Sequence, residues 1–256
     1  MPTLEVSGAK LHYETFGNGP ILLMIHGGNG EESIFHTIAK ILKAHYTVVC
    51  YERRGWSQSI HVGKQDFANR LSIDADDARK LISHLSTGPA AVFGSSSGAI
   101  VGQELLIRHS ESVKILIAHE PPSFSVLSQE YQDQGNGLTK HVYETYRAHG
   151  IEEAISVFTS GLSKGDDAAT MTQGMSPAKG DELRANLMFW FEFEIQQYPA
   201  SELDLDKLRV QKEKYVAAVG RKCWWTYRWT NCSDRQHFRD GAVEVSGRTC
   251  WVFDGS

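Results

Sequence analysis

The chain has 256 residues, 41% hydrophobic and 22% charged, which fits one α/β domain of a globular protein and excludes a disordered or fibrous chain. A net charge of -5 and scattered Lys and Arg residues give no electrostatic footprint for nucleic acid. No run of about 18 apolar residues is present to span a membrane, and Met1–Lys10 lacks the apolar core of a signal peptide, so the expected location is the cytoplasm.

Thr3–Phe16 alternates apolar and polar residues around Ser7–Gly8, which predicts a β-hairpin. Ile21–Ile25 is wholly apolar and ends in His-Gly-Gly, the pattern of a buried parallel strand. Ser33–His45 has helical spacing, and Tyr46–Tyr51 is the next buried strand, followed by Arg53-Arg54-Gly55. Ile73–Leu85 predicts an amphipathic helix whose first turn carries Asp74, Asp76 and Asp77, favourable to the helix dipole. Ala90–Phe93 is a strand, Gly98–His109 a helix and Val113–Ala118 a strand. This alternation with short connections predicts a mostly parallel sheet covered on both faces. From Pro121 to about Pro199 helical segments dominate, including Thr139–Ala148 and Glu182–Gln197; Lys214–Val219 restores the strand pattern. The expected organisation is a core over 1–120, a helical lid over 121–200 and a C-terminal part of the core over 201–256, atypical from about 221.

Gly94-Ser95-Ser96-Ser97-Gly98 reads G-x-S-x-G between a predicted strand and a predicted helix, the context of a nucleophile elbow. Small residues must flank so tight a turn. The helix N-terminus beneath Ser96 favours developing negative charge, and the amide of Ser97 is placed to receive an oxyanion. A second amide is expected from His26-Gly27-Gly28-Asn29-Gly30, with Gly28 or Asn29 as donor. His26 is expected to brace that loop rather than transfer protons. A dinucleotide-binding dehydrogenase is disfavoured, because no G-x-G-x-x-G follows the first parallel strand.

On these residues, together with Tyr51-Glu52-Arg53-Arg54-Gly55 and His119-Glu120-Pro121-Pro122, the chain over 1–220 resembles the α/β-hydrolase superfamily, and within it small microbial hydrolases, many of which serve specialised metabolism. The resemblance implies an α/β-hydrolase fold and a serine nucleophile. It also implies an acid after the penultimate strand, a His after the last one, and no metal or organic cofactor. Esterases, lactonases, C–C hydrolases and perhydrolases share this machinery, so the fold does not select a substrate.

The chain departs from that pattern after Val219. Gly220-Arg221-Lys222-Cys223 holds no carboxylate, and no histidine follows His237, which precedes the expected last strand near Ala242–Val245. Three of the four cysteines (Cys223, Cys232 and Cys250, but not Cys50) and four of the six tryptophans (Trp224, Trp225, Trp229 and Trp251) also lie beyond residue 222. With no Cys-x-x-Cys, these cysteines suggest neither a disulfide framework nor a redox pair. Degenerate codons for Val245–Phe253, shifted by one base, can read F-P-G-G-H-V-G-Y. The last glycine is forced, and the Val can only be Val or Ala. Lys222–Trp225 likewise permits S-A-G-G, preceded by Glu given a suitable Arg221 codon. Shifting glycine-rich codons by one base also yields the codons of Trp and Cys. Two readings stand: a tail out of frame from about residue 221, or a divergent tail that completes the site differently. The first is preferred, because an acid, a His and its loop return in one frame.

The expected function is a serine hydrolase acting through Ser96 on a small ester, lactone or related carbonyl compound, with a small-molecule substrate as its partner. The chain as written lacks an evident base and is expected to be nearly inactive. Glu120 is a backup acid, and His119 and His237 are backup bases, each more readily explained as a loop, structural or surface residue. The alternatives are a catalytically dead binding protein and a cofactor-free lyase, cyclase or perhydrolase on the same fold. Met188, Phe189, Trp190, Phe191 and Phe193 are expected either to line an apolar pocket or to pack the lid onto the core, with Glu192 and Glu194 facing solvent. Oligomeric state is not legible.

Overall fold

Strand burial sets the architecture. In the computed structural model, which describes residues 2–28, 30, 32–162, 166–220 and 243–245, β3 (Ile21–Ile25) is buried at every position. Its side chains alternate between two cores. Leu23 and Ile25 join a cluster with Ala78, Leu81, Val101 and Leu105, whereas Leu22 and Met24 pack with Phe35 and Ala39. A strand apolar on both faces needs helices on both, and it has them: α2 (Arg70–Leu85) and α3 (Ser97–Arg108) on one side, α1 (His36–Leu42) on the other. Each fully buried Leu or Ile contributes roughly 1.5–3 kcal/mol.

The hairpin forms as expected, β1 (Thr3–Val6) pairing antiparallel with β2 (Ala9–Phe16). β2 then pairs antiparallel with β4 (Thr47–Tyr51) and, off the main path, with the short β5 (Ile60–His61). From β4 onward the sheet is parallel through β3, β6 (Ala90–Ser95), β7 (Val113–His119), β8 (Tyr215–Gly220) and β9 (Val243–Val245), in the order β1-β2-β4-β3-β6-β7-β8-β9. The expected α/β architecture with a mostly parallel sheet is therefore present.

Between β7 and β8 the described chain forms α4 (Gln129–His149), α5 (Ile151–Leu162), α6 (Asp166–Gly174) and α7 (Asp181–Phe193), then the short α8 (Leu205–Val210). Val142, Ile155, Leu187 and Phe191 give this insertion its own core, into which Trp56 of the main domain projects. Among the described residues no helix is long and apolar enough to cross a membrane.

Two expectations change. The helix expected over Ser33–His45 is a 3-10 turn, Glu32–Phe35, leading into the shorter α1. α2 begins at Arg70, so Asp74, Asp76 and Asp77 lie beyond its first turn. Asp74 and Asp77 are buried instead against Arg53 and Arg54, and Asp76 pairs with Arg108 and His109. Ion pairing, not the helix dipole, accounts for these acids.

Candidate active site

β6 runs directly into α3 through Ser96, which adopts φ 54° and ψ -126°. A non-glycine residue at positive φ is strained, and such strain collects where the surrounding structure enforces it. Here both glycines of the motif are sterically required. A Cβ on Gly94 would lie 2.4 Å from the Gly98 carbonyl oxygen, and one on Gly98 would lie 2.3 Å from that of Ile25. The Ser96 amide donates to the His119 carbonyl at 2.9 Å, and its carbonyl accepts from Ala99 at 2.8 Å. The turn is thus locked between β7 and the first turn of α3. Ser97 opens that helix, and its buried Oγ has no hydrogen-bond partner among the described residues.

Ser96 borders a cavity of about 90 Å³, whose wall includes Gly27, Gly28, Ser97, Glu120 and Glu194. The remainder is mostly apolar: Phe124 after β7, Leu138 of α4, Phe158 of α5, Met171 of α6 and Trp190 of α7. Trp190 explains the bare backbone opposite it, since a Cβ on Gly28 would fall 2.5 Å from the indole Nε1. Of the apolar run in α7, Trp190 alone borders the cavity. Met188 is exposed, Phe191 stacks on Tyr146, Phe193 stacks on Phe67, and Phe189 meets Trp56.

His26 is fully buried, and the Arg53 backbone amide donates to its Nε2 at 3.2 Å. With Nε2 an acceptor, Nδ1 carries the proton and donates to the Gly27 carbonyl at 2.8 Å. Both nitrogens are occupied, Nδ1 within the loop and Nε2 by the turn that follows β4, as a bracing residue requires. Burial, and secondly the Arg53 charge, push its pKa well below the ordinary value, and burial lowers that of His119 too. A histidine with a depressed folded pKa leaves the unfolded state binding more protons in acid. Its stabilising effect is complete above the unfolded value near 6.5 and is lost as pH falls below it. The unfolding free energy is therefore expected to fall between pH 6.5 and 5, by up to about 1.4 kcal/mol per pH unit for each such histidine, and the melting temperature with it. The His26→Asn variant, less stable at pH 7.5, is expected to fall less steeply. An unchanged melting temperature down to pH 5 contradicts this assignment.

His119 turns its Nδ1 to Ser95 Oγ at 3.2 Å and stacks on Phe93, leaving Nε2 buried without a partner among the described residues. Glu120 takes a strained φ of 50°, donates its amide to the Ala218 carbonyl at 2.9 Å and borders the cavity. Among the described residues no side chain hydrogen-bonds Ser96 Oγ. Asn29, His237 and the stretches 221–242 and 246–256 lie outside the described residues. Among the described residues no three His, Cys, Asp or Glu side chains converge as a metal site would need.

A charged cluster behind the cavity was not anticipated. Glu194, expected to face solvent, is 1% exposed. Arg53, whose side chain is fully buried, donates to both Glu194 oxygens at 2.8 and 2.9 Å and to Asp74 at 2.9 Å. Burial opposes the Arg53 charge, but Glu194 and Asp74 more than offset it. Tyr198 donates to the same Asp74 oxygen at 2.8 Å, and Arg70 closes the cluster beneath Phe189. Glu192 stays half-buried and pairs with Arg147. The local signal for Glu194 was its place inside an apolar run, where a carboxylate one turn after Trp190 follows the buried face.

Comparison with known proteins agrees with this architecture. The family model described as alpha/beta hydrolase fold matches residues 20–156. The uncharacterized hydrolase YraK of Bacillus subtilis (strain 168) is 36% identical over 207 residues, 81% of this chain and 72% of that protein. A fluoroacetate dehalogenase of Burkholderia sp is 30% identical over 112 residues, 43% of this chain and 37% of the relative. Among solved structures, a carboxylesterase of Nitrososphaera gargenis is similar with a TM-score of 0.70 at 20% identity, covering 98% of this chain and 92% of that one. An enol-lactonase from Burkholderia xenovorans LB400 gives 0.66 at 17% identity, covering 98% and 93%; at these identities the likeness concerns the fold alone. The matched half of the sequence, the kinship with YraK over 81% of the chain and the strand–serine–helix turn together place this chain in the α/β-hydrolase fold family, whose relatives are named as hydrolases.

Proposed function

We propose that the protein is a serine hydrolase that cleaves a small, uncharged ester, lactone or related carbonyl compound, with Ser96 as nucleophile. The observation that carries this reading is the strained φ of Ser96 at a glycine-flanked turn bordering an apolar cavity. Ser96 Oγ attacks the carbonyl carbon, and the amides of Ser97 and Gly28 receive the oxyanion, each donor contributing roughly 3 kcal/mol to the transition state. Asn29 is the alternative donor. Water then resolves the acyl-enzyme. Helices α4 to α7, within 121–200, act as the lid between a core over 1–120 and its completion over 201–256. The described cavity wall carries two carboxylates and no Lys or Arg, which favours a neutral substrate.

The general base and its orienting acid belong, in this reading, to the shifted frame from about residue 221. Glu120 is the substitute acid best supported by position, because it borders the same cavity as Ser96. His119 is less supported as a base, because its Nδ1 is engaged with Ser95; His237 keeps its place as a further candidate. A cytoplasmic, cofactor-free enzyme fits this chemistry. The second reading, a catalytically dead binding protein, is favoured by the absence of a described side chain on Ser96 Oγ. A fluorophosphonate probe separates the two. With residues 1–220 joined to the shifted-frame tail, one adduct on the Ser96 peptide is expected. A folded protein that takes up no label supports the binding protein.

A further inference from the structure

The carbonyl of Gly27 is held by three donors: His26 Nδ1 at 2.8 Å, the Gly30 amide at 3.3 Å and Arg53 Nη2 at 3.4 Å. The described chain has no cis peptide bond, so the Gly28 N–H points opposite to that carbonyl. Whatever aims and polarises the Gly27 carbonyl therefore aims and polarises the Gly28 N–H, on a residue that borders the cavity beside Ser96. Arg53 is the most distant of these donors and is itself gripped by Glu194 through two hydrogen bonds. Glu194 directly follows α7, the helix that brings Trp190 against Gly28.

We propose that Arg53 and Glu194 are positioning residues, a buried clamp through which the helical insertion orients and polarises the Gly28 amide for an oxyanion. This rests on the hydrolase reading above and adds to it a coupling between the insertion and the oxyanion donor. The physical basis is twofold. A cationic donor on a peptide carbonyl strengthens the N–H of the same peptide, and burial preserves the effect. The two-point Arg–carboxylate geometry also fixes direction as well as distance.

The test uses the full chain as it exists. A triad lacking its base retains the catalysis due to the oxyanion donors and binding, so the residual rate reports on this amide. Removing Arg53 alone would strand Glu194 and Asp74. The double variant Arg53→Met/Glu194→Met replaces the pair by apolar side chains of similar length and leaves Asp74 its Tyr198 and Arg70 partners, with the melting temperature as the control for folding, and Glu194→Gln weakens the clamp without removing it. Two quantities are read: the amide NMR resonance of Gly28, and kcat and KM for residual cleavage of p-nitrophenyl acetate. In the double variant the Gly28 resonance is expected to move while that of Ser97 stays. The residual kcat is expected to fall about tenfold, short of the loss of a whole donor, with KM within about twofold, and Glu194→Gln is expected to lie between. A Gly28 resonance that does not move overturns the clamp, and so does one that moves with kcat unchanged. A parent chain with no residual rate above buffer counts against the hydrolase reading instead, and the Gly28 resonance then decides the coupling alone.

Discussion

Joining residues 1–220 to the shifted-frame tail is expected to raise the hydrolysis of a short aryl ester by roughly 100- to 10,000-fold over the chain as written, the usual contribution of a positioned general base. The reason lies in what the described site holds and lacks. Ser96 sits at the strained turn, Gly28 and Ser97 border the same cavity, and no described side chain reaches the Ser96 hydroxyl. A neutral serine hydroxyl is a weak nucleophile until a base accepts its proton. His26 cannot serve, because both its nitrogens are engaged, by Gly27 and by the Arg53 amide, and His119 is directed at Ser95. As written, the chain is expected to accelerate hydrolysis by no more than roughly 10³ to 10⁴ over water. Stopped assays of both forms at equal concentration measure the gain. Comparable rates from two folded forms would show that the tail as written already completes the site.

Ser96→Ala is expected to behave differently in the two forms. In the shifted-frame form it removes what the base adds, roughly 100- to 10,000-fold in kcat, because nucleophile and base act as a unit. In the chain as written it changes little, since what remains comes from oxyanion donors and binding. This non-additivity is a sharper signature than loss of activity alone, which any unfolded variant would give. The exchange leaves the backbone of the turn in place, with Gly94 and Gly98 still meeting their close contacts, so melting temperature serves as the control for folding. Equal losses in both forms would mean that a base is already present in the chain as written.

The parts legible in the sequence were those governed by short-range rules. Ile21–Ile25 was bounded correctly because five consecutive apolar residues before His-Gly-Gly have few other readings. The turn at Ser96 was legible because its steric demands fall on residues within two positions of it. The Arg53–Glu194 pair was not, because it joins residues 141 apart in the chain, and neither side of that contact carries a local signal of the other. Arg53 read as part of a family turn and Glu194 as a surface break in an apolar run; only packing α7 against the sheet brings them together. Asp74 misled for the same reason. An acid near a helix start suits the dipole in any sequence, while its partners, Arg53 and Tyr198, lie 21 and 124 residues away.

The measurement that bears most directly on the Ser96 hydroxyl is peptide mass mapping of the shifted-frame protein, acid-quenched within seconds of mixing with p-nitrophenyl acetate. One acetyl group on the peptide containing Ser96, absent from Ser96→Ala, is the predicted result. Continued turnover with Ser96 unmodified and the acetyl group on another side chain, or on none, would contradict it.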